Sequence, residues 1–299
     1  METPFEVRGV IVPLLTPMSR NGEQIDERSL QSHVDWLVKK GVHGLMPCGT
    51  TGEAPLLAQA EREIITEIVI AAAGGRVPVI AHVGAITTRE TVKLAEHAAA
   101  VGVSAISVIT PYYFALTDAA LTEHFCQVAA AAPDLPMYLY NLPARAGNRV
   151  SRACAEAVIG RCPNVVGIKD SSGDLTTLSS FIGLGNGRFQ VACGSDALLF
   201  RGLQAGAIAG VSGNANVFPE VLTGLFEAFW RGDLATAARW QETLDFIRTT
   251  LQDGGHLALY KHVLELRGLC SGGIRPPLPP ASSAEAAEAA AKLRAAGLV

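Results

Sequence analysis

Apolar residues gather in two alternating kinds of segment along the chain. Short runs rich in Val, Ile, Leu and Ala occupy positions 10–15, 44–47, 78–82, 105–109, 136–141, 165–169, 189–193 and 207–211. Each is too short for a helix and is bounded by Gly, Pro or polar residues, which predicts a strand. Between them, positions 26–40, 58–73, 88–101, 119–132, 151–161, 174–184 and 197–205 carry apolar residues at helical spacing, as with Leu30, Val34, Leu37 and Val38. Asp26, Ser151 and Asp174 stand where N-caps are expected, and Gly41 and Gly102 follow the ends of two of these segments. Eight strands, most of them apolar on both faces, each followed by a helix, predict an α/β protein with an all-parallel sheet covered by helices. The strand count and length favour a closed (β/α)8 TIM barrel. No G-x-G-x-x-G follows the first strand, and Gly183-Leu-Gly-Asn-Gly187 precedes a strand, so it reads as a turn. Beyond the eighth strand the alternation stops. Segments 219–231, 234–251, 257–266 and 283–296 read as consecutive helices, giving a catalytic barrel over 1–225 and a C-terminal helical domain over 226–299.

Composition narrows the function. Of 299 residues, 49% are hydrophobic and 17% charged. So much apolar material excludes a disordered chain. A net charge of −4 without any Lys/Arg run argues against nucleic acid or an anionic membrane as partner. The six cysteines are scattered with no CxxC pair, and no long apolar run is present. A soluble, cytoplasmic protein acting on small molecules is expected.

In a barrel of this kind the reacting groups stand at the C-terminal ends of strands and in the loops that follow. Five of six lysines, Lys39, Lys40, Lys93, Lys261 and Lys292, fall on predicted helices, where a solvated ammonium is expected. Lys169 alone ends a strand, ValValGlyIleLys, sharing a face with Val165 and Gly167. A lysine in a buried strand is rare unless paired or functional. It is either an ion-pair partner of Asp170 or Asp196, or an amine that burial biases toward its neutral form and that condenses with a carbonyl substrate. Tyr112 and Tyr113 follow the fourth strand. Tyr138 and Tyr140 share one face of the fifth, Tyr140 at its C-terminal end. A phenol there can shuttle protons, although a packed ring with a satisfied hydroxyl is the plainer reading of any one tyrosine. The turn Gly49-Thr50-Thr51-Gly52-Glu53 offers N–H groups and hydroxyls suited to a carboxylate. Arg145, just past the fifth strand, is either a clamp for a second carboxylate or a surface arginine. The seven histidines show no metal-ligand spacing, and only His82 lies near a strand end. No phosphate loop is present, so neither a metal nor a cofactor is expected.

Taken together, ProLeuLeuThrPro (13–17), GlyThrThrGlyGlu (49–53), ThrProTyrTyr (110–113), TyrAsnLeuPro (140–143), GlyIleLysAspSerSer (167–172) and GlySerAsp (194–196) resemble the dihydrodipicolinate synthase / N-acetylneuraminate lyase family. The resemblance spans about residues 8–280. It implies a metal-independent Schiff-base lyase, with the (β/α)8 barrel and helical extension assembled as a homotetramer or homodimer. It implies that Lys169 forms the imine with pyruvate and needs no cofactor. Thr50 and Thr51, with Gly49, would hold the pyruvate carboxylate. Tyr140 would shuttle protons, linked through Thr50 to Tyr113 of a neighbouring subunit, and Arg145 and Val211 would line the aldehyde side. Arg145 matches the arginine by which dihydrodipicolinate synthases bind aspartate semialdehyde, which favours condensation of pyruvate with that aldehyde. Ala146, Phe114, Gly254-Gly255-His256 and the tail GlyGlyIleArgProProLeu (272–278) depart from the synthases. They open the alternative of an aldolase or dehydratase releasing pyruvate from a 2-keto-3-deoxy sugar acid or 4-hydroxy-2-oxoglutarate. A remoter alternative is a non-catalytic ligand-binding homologue.

Overall fold

The computed structural model describes residues 5–299. The strands form where the short apolar runs predicted them: β1 (Gly9–Pro13), β2 (Gly44–Met46), β3 (Ile80–His82), β4 (Ala105–Ile109), β5 (Met137–Asn141), β6 (Val165–Asp170), β7 (Gln190–Cys193) and β8 (Ala209–Val211). They are joined in the order β2-β1-β8-β7-β6-β5-β4-β3, all parallel, as a nearly closed barrel whose hydrogen-bonded order ends at β2 and β3. Every residue of β1, β4, β5, β7 and β8 is buried. That is why these strands carry apolar residues on both faces.

Helices intervene: α1 (Glu27–Lys39), α2 (Gln59–Ala73), α3 (Thr88–Ala100), α4 (Asp118–Ala131), α5 (Pro143–Ala146), α6 (Arg152–Arg161), α7 (Leu175–Phe181) and α8 (Leu199–Ala205). All three predicted N-caps act as such: Asp26 accepts from Ser29 N–H, Ser151 from Cys154 N–H, and Asp174 from Thr176 and Thr177 N–H. In α1 the stripe Leu30, Val34, Leu37 is fully buried, and each such side chain contributes about 1.5–3 kcal/mol of transfer free energy. After β8 come α9 (Pro219–Trp230), α10 (Leu234–Thr250), α11 (Leu257–Leu266) and α12 (Ser283–Ala295), the last opened by a capping box between Ser282 and Glu285. Among the details that differ from the sequence expectation are these. The segment expected to be one helix over 174–184 stops at Phe181, and Leu184–Gly187 forms a separate 3-10 turn. The one-turn helix α5 was not expected, being too short to show a periodicity.

Internal packing divides the chain into two compact units. One comprises the chain up to Ile11 with Pro78–Val211; the other comprises Val12–Val77 with Ser212–Val299. Ile106, Val108, Phe125, Leu139 and Ile168 lie in the core of the first, and Leu30, Leu45, Phe218, Phe226 and Leu244 in that of the second. Among the described residues no helix is long and apolar enough to cross a membrane.

Candidate active site

In the first unit the chemistry concentrates where β5 and β6 end. Their register pairs Tyr140 with Lys169 and Asn141 with Asp170. Alternation then sends the first pair to one face and the second to the other. Lys169 is 5% exposed and Tyr140 2%. The Lys169 Nζ lies 3.9 Å from the centroid of the Tyr140 ring. The imidazole of His82, at the end of β3, meets the same ring edge-on, 5.8 Å between centroids and 87° between planes. The ion pair considered for Lys169 is not made: among the described residues no carboxylate stands within ion-pair distance of its amine. Asp170 is engaged elsewhere, accepting from Asn141 Nδ2 and Ser172 Oγ, both at 2.7 Å. Burial holds the Asp170 carboxyl above the usual range, with those two hydrogen bonds opposing the rise. Asn141 Oδ1 accepts from Val150 N–H at 2.9 Å, so one side-chain bridge ties β5 to β6 and to the chain entering α6.

Gly194 shows why a glycine follows β7. A Cβ there would sit 2.0 Å from Ser171 Oγ and 3.1 Å from Lys169 Cε, so the serine hydroxyl occupies the space and the lysine stem packs beside it. Tyr138, on the same face as Tyr140, takes the plainer reading: its hydroxyl donates to Gln190 Oε1 at 2.5 Å, and burial pushes its phenol pKa upward.

Tyr113 is presented quite differently. Its side chain stands out in solvent, 85% exposed, on a backbone with φ of 83°. A left-handed conformation costs a non-glycine residue about 1–2 kcal/mol. The surrounding loop is fixed by Asn148, whose Nδ2 donates to the carbonyls of Pro111 (2.8 Å) and Phe114 (2.7 Å), while its Oδ1 accepts from Leu116 N–H at 2.8 Å. A rigid loop therefore holds a strained tyrosine out in solvent, with the exposed Phe114 ring against it at 5.1 Å. Arg145 lies exposed on α5, and Val211 is buried at the end of β8.

Gly49, Thr50 and Thr51 belong to the second unit. Their turn is closed by Gly52 N–H and Ala54 N–H donating to the Gly49 carbonyl and by Glu53 N–H donating to that of Thr50. Thr51 N–H donates to nothing among the described residues, and both threonine side chains are half-buried. The turn stands between two strained residues, Cys48 with φ of 58° and Glu53 with φ of 62°. A mouth of this kind, with hydroxyls and an unclaimed amide, can take a carboxylate.

One sequence expectation is overturned in this unit. Lys261, read as solvated on its helix, is wholly buried, and its Nζ lies 2.5 Å from Glu53 Oε1. Burial pushes the Lys261 pKa down and Glu53 opposes that shift. The signal was available: Lys261 sits in LeuAlaLeuTyrLysHisValLeuGluLeu, a helix whose apolar residues leave little solvated face. Among the described residues no three His, Cys, Asp or Glu side chains converge as metal ligands.

The barrel, its helical extension and a strand-end lysine buried against a tyrosine define the class, that of the pyruvate-dependent lyases of the lysine (class I) type. Comparison with known proteins then gives the family. The chain belongs to the dihydrodipicolinate synthetase family, whose model matches residues 6–296. It is 40% identical over 275 residues to an uncharacterized DapA-like lyase of Halobacterium salinarum, covering 92% of this chain and 89% of that one. It is 39% identical over 293 residues to the 4-hydroxy-tetrahydrodipicolinate synthase of Phenylobacterium zucineum, covering 98% of each. Among solved structures, YagE, a prophage protein of the dihydrodipicolinic acid synthase family from E. coli K12 in complex with pyruvate, superposes with a TM-score of 0.93. That match is at 33% identity and covers 98% of this chain and 99% of that one.

Proposed function

We propose that this enzyme joins pyruvate to an aldehyde through an imine on Lys169, with aspartate semialdehyde as the acceptor and a 4-hydroxy-tetrahydrodipicolinate synthase-like product. The observation that carries the reading is the Lys169 amine, buried over the Tyr140 ring at 3.9 Å without a carboxylate partner. The amine adds to the C2 carbonyl of pyruvate, and loss of water from the carbinolamine gives the iminium. Loss of a C3 proton gives the enamine, whose C3 forms the new bond to the aldehyde carbon, the aldehyde oxygen taking up a proton. The acceptor's own amine then adds to the iminium carbon and expels the lysine amine, closing the six-membered ring and freeing the lysine. Each step moves protons, and Tyr140 is the shuttle. Thr50 and Thr51, beside Gly49, take the pyruvate carboxylate and fix the keto acid for attack. Tyr113 extends the relay into the site of a neighbouring copy in a homotetramer or homodimer, which suits a tyrosine held out in solvent on a rigid loop. Arg145 takes the second carboxylate and Val211 lines the acceptor side. The imine supplies the electron sink, so the reaction needs no metal or cofactor, and it runs in the cytoplasm.

The named synthase relative at 39% identity supports the condensation. A second reading, cleavage of a 2-keto-3-deoxy sugar acid or 4-hydroxy-2-oxoglutarate to pyruvate, is favoured by Ala146 and Phe114 beside the acceptor-side residues. A non-catalytic role is countered by the intact Lys169, Tyr140 and Thr50. Borohydride reduction with pyruvate tests the chemistry: the wild-type chain should be alkylated at Lys169 and Lys169→Ala should not. An unmodified wild-type mass would sink the imine. Pyruvate release from the 2-keto-3-deoxy sugar acid and from 4-hydroxy-2-oxoglutarate, set beside pyruvate consumption with aspartate semialdehyde, decides the direction.

A further inference from the structure

The loop proposed to bind the keto-acid carboxylate ends at Glu53, a residue with a left-handed backbone and a carboxylate out of reach of solvent. What grips that carboxylate comes from the C-terminal segment of the same unit. Lys261 on α11 pairs with Oε1 at 2.5 Å, and Arg275 donates its backbone N–H to Oε2 at 2.9 Å. Lys261 also donates to the Gly273 carbonyl at 2.8 Å, so the amine joins loop, helix and tail. The tail is itself pinned. Arg275 donates to both carboxylate oxygens of Glu61 on α2, at 2.7 and 3.1 Å, and to the Gly22 carbonyl at 2.7 Å. At Gly273 a Cβ would fall 1.9 Å from the Ser19 carbonyl oxygen, so backbone packs on backbone there. A buried ion pair is weak evidence for stability as such, since desolvation offsets much of its attraction. This pair is attached to the last residue of a strained turn, whose shape it therefore governs.

We propose that the Glu53–Lys261 ion pair is a positioning device for the Thr50–Thr51 turn, through which α11 and the 272–275 segment set the affinity of the enzyme for a 2-oxo-acid carboxylate. The inference rests on the assignment of that turn to the pyruvate carboxylate. Neither residue touches substrate. Lys261 holds Glu53, and Glu53 holds the turn.

The test uses pyruvate alone as the probe and reads the fraction of full-length chain alkylated by borohydride as pyruvate is raised. Lys261→Met should move the half-saturating pyruvate upward about ten-fold or more, since small displacements of positioning groups have effects of that size. The plateau should stay at the wild-type level, because the reacting lysine is untouched. Leu264→Ala, a buried cavity variant on the same helix whose side chain has no part in the ion pair, should keep the wild-type half-saturation. If Lys261→Met does not fold, Glu53→Gln/Lys261→Met, which leaves no lone buried charge, is read on the same axis. A raised half-saturation in the folded variant with Leu264→Ala unmoved supports the proposal. An unmoved half-saturation, or an equal rise in Leu264→Ala, overturns it. Wild-type chain that is never alkylated would instead overturn the imine reading, and so the two failures are distinguishable.

Discussion

Two lysines of this protein are withdrawn from water, and they are held in opposite ways. Lys261, 0% exposed, has a full opposite charge at 2.5 Å and a backbone carbonyl at 2.8 Å. Lys169, 5% exposed, has an aromatic face at 3.9 Å and no carboxylate. A buried carboxylate favours the ammonium form against the opposing effect of burial and blocks its approach to anything else. A tyrosine face offers an attraction of about 0.5–2 kcal/mol, which an incoming carbonyl can displace. Burial is therefore not what distinguishes the lysine proposed to react, since both have it. The partner marks it. The same contrast separates the neighbouring acids: Asp170, adjacent in sequence to Lys169, is turned away and satisfied by Asn141 and Ser172. Glu53, far from Lys261 along the chain, is the one that pairs.

The largest break in the comparison should come from removing each amine in turn. Lys169→Ala should lower turnover about 10^4-fold or more and abolish borohydride trapping, with urea unfolding little changed. Lys261→Met should still be trapped at saturating pyruvate. Next in size is Tyr140→Phe. Removal of a general acid–base group lowers rate by about 10^2–10^4-fold, so kcat should fall by that amount. The imine should form more slowly but still be trapped on long incubation, because the ring that contacts Lys169 is retained and only the shuttling hydroxyl is lost. Loss of trapping in Tyr140→Phe would mean that the hydroxyl is needed before the imine forms.

Stability should reverse the ranking. Lys261→Met leaves the Glu53 carboxylate buried without its cation, and breaking one partner of such a pair costs about 3–5 kcal/mol. The double variant Glu53→Gln/Lys261→Met should be more stable than Lys261→Met alone, because no uncompensated charge remains. A double-mutant cycle by urea unfolding reads this directly. Additive losses would show that the pair does not couple.

The barrel was legible because its signals are local. Eight apolar runs, helical periodicity between them, and the capping residues Asp26, Ser151 and Asp174 each act within a few residues of where they stand. Lys169 was legible for a related reason: a strand of known polarity in a barrel of known hand puts its last residue at a definable place. What stayed hidden depends on approach of distant chain. No spacing in the sequence says that Lys261 meets Glu53, that the Ser171 hydroxyl and the Lys169 stem crowd Gly194, or that His82 packs edge-on against Tyr140. In α11 the rule that lysines on helices are solvated failed because Leu259, Tyr260, Val263 and Leu264 around it are buried too, and a helix covered on most sides has no wet face to offer. Short α5 was hidden for want of length: so few residues carry no period.

The smallest effect probes where the two regions should agree. Each unit holds a buried imidazole whose pKa is pushed down by burial. His33, in the unit of Lys261, donates from Nε2 to the Asn216 carbonyl at 3.0 Å. His124, in the unit of Lys169, has its Nδ1 at 2.9 Å from Thr88 Oγ1. Burial pushes both down from 6.5 to about 4. With the folded value depressed, the unfolded chain binds the proton first as pH falls. The stability each imidazole contributes is therefore complete above pH 6.5 and is lost progressively from there toward pH 4. Between about pH 6.5 and about pH 5 the loss should be about 2 kcal/mol for each. Asp170, whose carboxyl is held above the usual range, acts in the opposite sense in the carboxylate titration range below, where protonation relieves its burial. Urea unfolding from about pH 7.5 to about pH 5 should show a positive dependence of stability on pH, shallower by up to one proton in His33→Phe and by the same in His124→Phe, whatever their absolute stabilities. If neither slope changes, the imidazoles are not the groups that titrate. If only His33→Phe flattens the curve, the two units differ in how well they exclude the proton, as they already differ in how they hold their lysines.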